Sequence, residues 1–308
     1  MTGAVLLDWI EATLRWAAPL IICSVGEVMA ERSGVINMGI EGIMLCGALC
    51  GVAVCYYANS QIVALIACML LGALLGLLVA YLTVSRRTNQ VVTGLMINML
   101  CTGATEMVFA LMAATRHKRA ATFATLFPES FQKIPILGET LFSQPWSTWV
   151  ALALPFLAAF VLYRTRWGLN VRAVGDNPFS AESAGLSVIK IKYQTVILSG
   201  VFACLAGGVL TLASSGYFAA GGMTNGRGFI VMAAVVVGGW DPVRTMLVCI
   251  LFGAADAVQL RLQTTGSLIP NQFLQMLPYV ITVIALTIMV KRSRVPKTWG
   301  AAFDGRKD

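Results

Sequence analysis

The sequence has few charged residues and contains no long polar block. Only 12% of its 308 residues are charged and 58% are hydrophobic, whereas soluble globular domains carry about 25% charged residues. This composition excludes a separate soluble domain. It predicts a single membrane domain over residues 1–290, followed by a basic cytoplasmic tail over residues 291–308. The net charge of +8 does not indicate nucleic-acid binding, because the Lys and Arg residues of membrane proteins collect on the cytoplasmic side.

Catalytic motifs are absent as well. His117 is the only histidine, and it lies in a polar loop, which argues against a zinc pair or a Ser-His-Asp triad. No glycine-rich loop ends in Lys-Ser or Lys-Thr, so the chain does not bind ATP through that device. We therefore expect no catalytic residue, no metal site and no cofactor bound by this chain.

The eight cysteines indicate neither a disulfide framework nor a metal site. All of them lie in apolar runs rather than in the large polar loop, where a disulfide framework would be expected. Cys46 and Cys50 share a helix face, but no histidine or third cysteine joins them, so we expect small packing residues. The segment MTGAVLLDWIEATLRW has neither a basic region nor a small-residue cleavage site, so we expect no signal peptide.

Long apolar runs dominate what the sequence does contain. A spanning helix needs roughly 20 mostly apolar residues, and the run FIVMAAVVVGGWDP is too short to span in the usual way. We predict an all-α polytopic membrane protein with about 8–10 transmembrane helices, some of them broken or re-entrant. The eight long runs lie at about 12–30, 39–58, 61–84, 89–113, 146–163, 193–214, 243–262 and 272–290.

The basic residues predict which side each loop faces. If Arg86 lies inside, alternating spans place residues 114–145 and 215–227 outside, and residues 165–192 and the tail inside. Fourteen basic residues then lie inside and six outside, with Arg15 and Arg32 left out of the count. This distribution satisfies the positive-inside rule. The N-terminus falls outside if the first apolar segment crosses the membrane once.

The stretch GEVMAERSGVINMGIEGIMLCGALCG, residues 26–51, is unusual for a spanning segment. It combines six glycines with Glu27, Glu31, Arg32, Asn37 and Glu41. Charge at membrane depth normally faces a cavity or a partner, and broken backbone there must be satisfied by protein or water. We predict a helix interruption at residues 31–39 that points at a translocation path. The alternative is a tight polar loop at the membrane surface with Glu31 and Arg32 solvated, whereas Asn37 and Glu41 lead directly into an apolar helix.

Polar side chains also follow one face of the fourth predicted helix. Asn98, Thr102 and Glu106 recur at spacings of four, which places them on the same side of a helix. The face either lines a cavity or makes interhelical hydrogen bonds, and for Asn98 both remain open. Isolated acids in or near apolar segments could form a proton relay, although pairing with Arg or with backbone N–H groups is commoner; these acids are Glu27, Glu41, Glu106 and Asp256.

Two segments in the two halves of the chain echo each other. NMGIEGIMLCGALCG and NGRGFIVMAAVVVGG both run from Asn and Gly into a short apolar helix. Paired glycine-interrupted segments of this kind point to a substrate site at the repeat interface of a transporter.

The polar segment 168–192 offers a second informative pattern. Asp176 or Asn177 can cap a short helix that has Pro178 at its first position. Either the segment is a solvated connecting loop, or its short helix docks a cytoplasmic partner. In the second case a slim face and charged side chains fix the docking. The slim face consists of Ala181, Ala184 and Gly185, and the charges are Arg172, Asp176 and Glu182.

Three motifs resemble those of permease subunits in ATP-binding-cassette importers for ribose-like sugars, branched-chain amino acids and nucleosides. GLNVRAVGDNPFSAESAGL looks like their cytoplasmic loop, GVINMGIEGIMLCGAL like their first broken helix, and RGFIVMAAVVVGGWDP like its second-half counterpart. The resemblance covers roughly Ala18 to Val290. Glu31-Arg32-Ser33-Gly34 before Val35-Ile36-Asn37 is most similar to the nucleoside branch.

The resemblance implies a type II-like permease fold and a set of partners. These are a second homologous permease, with a heterodimer favoured over a homodimer, an ATPase subunit that carries ATP and Mg²⁺, an extracytoplasmic substrate-binding protein and membrane lipid, in a bacterial inner or plasma membrane. Asn37, Glu41 and Asn98 become candidates for the substrate path. The implied coupling residues are Arg172, Gly175, Asp176, Asn177, Ala181, Glu182, Ala184 and Gly185.

Three other functions compete with nucleoside import. The same kind of importer could carry a simple sugar or a branched-chain amino acid. A proton-coupled carrier working alone could use Glu27, Glu41 or Glu106, but it has no need for a charged docking helix. An intramembrane enzyme is least favoured, because paired acidic motifs are lacking and His117 is the only histidine.

Overall fold

The computed structural model describes residues 2–112, 119–127, 140, 142–219, 222–264, 273–274, 276–289 and 295–304. Over these residues the regular secondary structure is helical, apart from an isolated β-bridge between Thr125 and Pro145. The helices are α1 (Thr2–Arg32), α2 (Ile40–Ala58), α3 (Gln61–Ala80), α4 (Gln90–Leu111), α5 (Trp146–Arg164), α6 (Arg166–Asp176), α7 (Pro178–Ser183), α8 (Val188–Leu212), α9 (Arg227–Val237), α10 (Pro242–Thr264) and α11 (Leu277–Met289). A π-helical turn, Tyr81–Ser85, extends α3.

Seven of the helices in the described part of the chain are long and apolar enough to cross a membrane. They are α1 to α5, α8 and α10, while α9 is a shorter apolar helix of 11 residues. The predicted all-α, multi-pass fold with broken segments is therefore confirmed. The predicted bounds were too narrow for α1, which begins at Thr2, and for α8, which begins at Val188 inside the segment assigned to a polar connection.

One end of the bundle is formed by the ends of α1 and α9, by α6 and by the described tail. Arg32 Nε donates to the Trp240 carbonyl over 2.8 Å, which ties the end of α1 to the end of α9. The Thr298 N–H donates to the Gly175 carbonyl over 3.1 Å, which ties the described tail to α6. Because α1 is continuous from Thr2, it runs from the opposite end of the bundle to this one. We call the end where α1 terminates the inner end, following the predicted topology.

The opposite end is formed by the connection after α4 and the end of α8. Gln61 Nε2 donates to the Thr122 carbonyl over 2.7 Å. The Phe123 N–H donates to the Leu212 carbonyl over 3.0 Å. We call this the outer end, following the topology predicted from the positive-inside rule.

Helix α8 is the centre of the packing and contacts α1, α2 and α3. Its contact with α2 is a backbone contact, because a Cβ placed on Gly207 would lie 1.8 Å from the Met44 carbonyl oxygen. On the α2 side, a Cβ on Gly47 would lie 2.0 Å from the Cys204 carbonyl oxygen. Membrane helices associate through such close packing, because lipid provides no hydrophobic force between them.

The contact between α3 and α8 is formed by glycines of both helices. A Cβ on Gly72 would lie 2.5 Å from the Gly200 carbonyl oxygen, and a Cβ on Gly200 would lie 2.7 Å from the Gly76 Cα. The opposite face of α3 exposes large apolar side chains, namely Ile62, Ile66, Leu70, Leu74 and Leu77. An apolar face of this kind is suited to lipid or to another membrane helix.

Candidate functional site

The helix interruption lies at residues 33–39, between α1 and α2. Backbone N–H groups of the interruption are hydrogen-bonded within the protein. The Ile36 N–H donates to Gln90 Oε1 over 2.8 Å, and the Val35 N–H donates to the Ala30 carbonyl over 3.2 Å. Gly34 has a φ of +87°, a conformation that L side chains rarely adopt. The break therefore brings the chain back toward the bundle interior at the start of α2.

Asn37 lies in a buried polar cluster with Glu27 and Ser199. The Asn37 N–H donates to Glu27 Oε1 over 3.1 Å, and Ser199 Oγ donates to Glu27 Oε2 over 2.7 Å. Asn37 Nδ2 donates to Ser199 Oγ over 3.0 Å, and its Oδ1 accepts from the Gly39 N–H over 3.1 Å. All three side chains are essentially inaccessible to solvent. The cluster ties the interruption to α1 and α8. Ser199 was not predicted, because a lone serine in an apolar helix carries no signal of its own.

Glu41 connects the two glycine-broken motifs that echo each other in the sequence. Its Oε1 accepts from the Gly226 N–H over 2.7 Å and its Oε2 from the Gly228 N–H over 2.6 Å. Helix α9 has no side-chain cap of its own, since Gly226 stands at its N-cap. A carboxylate satisfies free N–H groups at a helix start and interacts favourably with the helix dipole. Glu41 of α2 therefore caps α9, and the two motifs meet in space.

Asn98 makes interhelical hydrogen bonds. Its Nδ2 donates to the Met38 carbonyl over 2.8 Å, and its Oδ1 accepts from the Gly42 N–H over 2.8 Å. These bonds fix the start of α2 against α4. Thr102 bonds within its own helix, and Glu106 is exposed. The polar face of α4 thus divides into a structural residue, Asn98, and two residues that point away from the chain.

Glu31 is fully buried, so the alternative of a surface loop with Glu31 solvated was wrong. Its Oε2 accepts from the indole N–H groups of Trp240 and Trp299, the latter over 2.9 Å. Arg32 is partly buried, and besides the Trp240 carbonyl it donates to the Tyr163 hydroxyl over 3.3 Å. Two tryptophans far along the chain therefore provide the environment that the local sequence around Glu31 does not reveal.

The described tail residues, 295–304, lie against the inner end. The Gly300 N–H donates to the Gly34 carbonyl over 3.1 Å, so the tail contacts the helix interruption directly. The Phe303 ring lies 5.4 Å from the Phe179 ring, which belongs to α7. The tail thus contacts both the interruption and the segment predicted to dock a partner.

The segment predicted to dock a partner forms two short helices, α6 and α7. Asn177 caps α7, because its Oδ1 accepts from the Ser180 N–H over 3.1 Å, and Pro178 occupies the first position as expected. Asp176, the alternative cap, is instead the last residue of α6. The connection between α5 and α8 is therefore ordered helix rather than an irregular loop.

The eight candidate coupling residues do not share one face. Gly175 faces α1, where a Cβ would lie 2.0 Å from the Arg32 carbonyl oxygen. Arg172 lies over the Tyr163 ring at 5.4 Å, and Ala181 is only 5% exposed. The slim face predicted from Ala181, Ala184 and Gly185 is therefore divided, because Ala181 packs inward. The exposed members are Asp176, Asn177, Glu182, Ala184 and Gly185.

Asp256, one of the isolated acids, pairs with a cation. Its Oδ2 lies 3.2 Å from Arg227 Nη2, and the two side chains are 9% and 12% exposed. Arg227 is the first residue of α9 and lies between Gly226 and Gly228, which donate to Glu41. The start of α9 is therefore bound to α10 as well as to α2. Within the described residues, no group of three or more His, Cys, Asp or Glu side chains could hold a metal ion. The absence of a cofactor stays a prediction.

Curated proteins with similar sequences match nearly the whole chain. The guanosine ABC transporter permease protein NupQ of Bacillus subtilis is 36% identical over 96% of this chain and 95% of its own length. The nucleoside ABC transporter permease protein NupC of Lactococcus lactis is 32% identical over 94% of both chains. The putative glucose ABC transporter permease protein TsgC13 of Haloferax volcanii is 33% identical over 92% of both chains.

Bacillus subtilis has a second similar chain. Its guanosine ABC transporter permease protein NupP is 25% identical over 91% of this chain and 80% of its own length. These relatives are permease subunits, and residues 9–286 match the family described as the branched-chain amino acid transport system / permease component. Together with the apolar spans and the two joined glycine-broken motifs, this shows that the chain is a multi-pass membrane protein that belongs to that permease family.

Proposed function

We propose that this chain is the transmembrane permease subunit of an ATP-driven importer that takes up nucleosides. The similarity along nearly the full length to a guanosine permease and a nucleoside permease, at 36% and 32% identity, carries the proposal. Two features of the structure support it. Glu41 joins the two glycine-broken motifs, and α6 and α7 present exposed residues at the inner end.

The second permease of the complex is a homologous chain rather than a copy of this one. The support is that Bacillus subtilis has two chains similar to this one, and both are described as guanosine permeases. A nucleotide-binding subunit carries ATP and Mg²⁺ and docks on the exposed residues of α6 and α7. An extracytoplasmic binding protein delivers the nucleoside to the outer end, and the complex lies in the bacterial cell membrane.

Asn37, Glu41 and Asn98 belong to the path as the residues that hold its walls. Their hydrogen bonds to other parts of the chain fix the start of α2 against α1, α4 and α9. A side chain already bonded in this way sets the position of a wall more readily than it binds a passing solute. Ser199 and Glu27 share that role with Asn37.

A sugar importer is the second candidate, and the similarity to a putative glucose permease at 33% identity favours it. The architecture and the docking of the ATPase are the same for both substrates. The two candidates differ in the solute that is carried and share the transport mechanism.

The test is ATP hydrolysis by the complex purified through this chain and reconstituted in lipid with its binding protein. Guanosine, adenosine, uridine, cytidine, ribose, glucose and leucine are added in turn. We expect nucleosides alone to stimulate hydrolysis. Stimulation by glucose or ribose alone would favour the sugar importer. Purification of this chain without any ATPase would contradict the importer itself.

A further inference from the structure

A polar cavity opens into the outer half of the bundle beside α9. Its volume is about 380 Å³, within the range of about 300–1,000 Å³ that is usual for small-molecule sites. Its walls extend from Leu210 and Gln263, in the last turns of α8 and α10, to Trp16 in the middle of α1. The cavity therefore reaches from the outer end toward the middle of the bundle, on the side from which a binding protein would deliver a solute.

The Arg227–Asp256 ion pair forms part of this wall. Ionisable side chains at membrane depth are costly, and they commonly face a cavity or a transport path. Arg227 is held by three contacts: Asp256 at 3.2 Å, the Trp16 ring at 4.9 Å and the Met223 carbonyl at 3.3 Å. Because the cation and the anion neutralise each other, the wall presents hydrogen-bonding groups without net charge. Such a wall suits an uncharged polar solute better than a zwitterionic amino acid.

Three carboxamides complete the polar lining, on Asn225, Gln259 and Gln263. The Gln263 amide nitrogen is buried and has no hydrogen-bond partner among the described residues. A carboxamide both donates and accepts, so it matches the edge of a nucleobase and the hydroxyls of ribose. A buried donor without a partner gains free energy when a ligand supplies an acceptor.

Apolar side chains face the same space. Trp16, Leu210, Met223 and Leu260 line it together with the polar groups. A nucleobase has a flat face that can lie against such a wall, and aromatic and apolar contacts of this kind contribute to binding. The C–H face of a hexose is smaller and is not aromatic. The combination of carboxamides, a neutral ion pair and an apolar wall therefore favours a nucleoside over a free sugar.

A second, smaller cavity of about 140 Å³ lies next to the first. The two share four wall residues, which are Asn225, Arg227, Asp256 and Gln259. Tyr279 of α11 bounds the smaller cavity, and its hydroxyl donates to the Asn225 carbonyl over 2.6 Å. The ion pair and Gln259 thus lie between the two cavities.

From these observations we infer that the larger cavity binds the nucleoside during its passage, with Gln259 and Gln263 recognising its polar groups and the Arg227–Asp256 pair shaping the wall. The assignment rests on the proposed function, since it names the residues that recognise the same substrate. It adds five residues that were not among the predicted path residues, which are Trp16, Arg227, Asp256, Gln259 and Gln263.

The first experiment changes the carboxamides and leaves the ion pair intact. Gln259→Leu and Gln263→Leu are introduced separately in the reconstituted complex. The rate of nucleoside-stimulated ATP hydrolysis is measured as a function of the concentration of nucleoside-loaded binding protein. We expect each variant to raise KM about tenfold, the effect of losing about one hydrogen bond to the ligand. Thr287→Val is the control, because Thr287 is exposed on α11 and its hydroxyl donates to the Val283 carbonyl of the same helix. An unchanged KM in both glutamine variants would overturn the assignment.

Chemical labelling tests the site without relying on transport. Gln259→Cys is treated from the outer side with a charged, membrane-impermeant thiol reagent. The chain without this substitution is treated in the same way, and its labelling gives the background from the native cysteines. We expect guanosine-loaded binding protein to slow labelling at least about fivefold relative to empty binding protein, and glucose to have no effect. Absence of labelling, or equal rates with loaded and empty binding protein, would contradict a site at this cavity.

The two proposals fail in different ways. If the unmodified complex responds to glucose and not to nucleosides, the nucleoside function is wrong and the nucleoside assignment falls with it. If the unmodified complex responds to nucleosides while both glutamine variants and the labelling show no effect, only the cavity assignment is wrong.

Discussion

The acidic residues of the spans differ in how the fold neutralises them. Glu27 accepts from a hydroxyl and a backbone N–H, Glu31 from two indole N–H groups, and Asp256 from a guanidinium. Glu41 accepts from two backbone N–H groups of α9. Each of these contacts follows the common fate of an acid at membrane depth, which is a partner within the protein. None of the four requires a proton relay to account for its position.

The capping role of Glu41 predicts the effect of removing its carboxylate. Glu41→Leu leaves the Gly226 and Gly228 N–H groups without their acceptors and removes a negative charge from the start of α9. We expect the free energy of unfolding to fall by about 1–3 kcal/mol. The measurement is thermal unfolding of the purified protein in detergent. Glu106→Gln is the control, because Glu106 is exposed on α4. Equal melting temperatures for Glu41→Leu and the control would show that the cap contributes nothing.

At the level of helices, the bundle depends on the close contact of α8 with α2 and α3. Backbone atoms touch at Gly207 and Gly47 on one side and at Gly72 and Gly200 on the other. The glycines of α3 are visible in the sequence, but their partners on α8 are not. A glycine pattern shows that a helix can be approached closely, whereas the approaching helix is chosen by the packing of the whole bundle.

This contact gives the second prediction. Gly207→Ala would place a methyl group 1.8 Å from the Met44 carbonyl oxygen, so α2 and α8 would have to separate. We expect a loss of about 1–3 kcal/mol in the free energy of unfolding, the usual cost of overpacking. Gly103→Ala is the matched control, because no atom lies within 4 Å of its added methyl group. Thermal unfolding checks both variants. A melting temperature of Gly207→Ala equal to that of Gly103→Ala would contradict the backbone contact between α2 and α8.

In the molecule as a whole, the described tail connects α6 at the inner end with the helix interruption, where the proposed path begins. Trp299 bonds Glu31, Gly300 bonds the interruption and Thr298 bonds α6. A displacement of α6 and α7 would therefore reach residues 33–39 through the described tail as well as through α1. The exposed part of α7 and the turn after it is the surface on which a partner can act.

The third prediction concerns that surface. Ala184 is exposed in the turn after α7, with an ordinary φ of −83°, so a larger side chain fits without backbone strain. Gly185 is less suitable for such a test, because its φ is +86° and any side chain there would be strained. We expect Ala184→Trp to abolish uptake and nucleoside-stimulated ATP hydrolysis while the protein remains in the membrane, because the bulky ring prevents docking.

The control for this prediction is Leu70→Trp, which adds the same ring on the exposed apolar face of α3. It should retain uptake. Both variants are measured in the same proteoliposomes, and their membrane content is compared by quantitative blotting. Uptake by Ala184→Trp at the level of the unmodified complex would sink the docking role of this turn.

Much of the fold can be predicted from local properties of the chain. Apolar length, helix-capping residues and the positions of Arg and Lys are all read over a few neighbouring residues. They predict the spans, the sides of the loops and a cap at Asp176 or Asn177, and the structure has the cap at Asn177. The glycine-rich stretch after Gly26 likewise predicts a break in the helix. The partners of the buried polar residues depend instead on which helices pack together. Glu41 meets Gly226 across 185 positions and Glu31 meets Trp299 across 268, and residues that far apart carry no shared local pattern. For the same physical reason, Trp16, Gln259 and Gln263 become neighbours of the Arg227–Asp256 pair only once α1, α9 and α10 enclose the cavity.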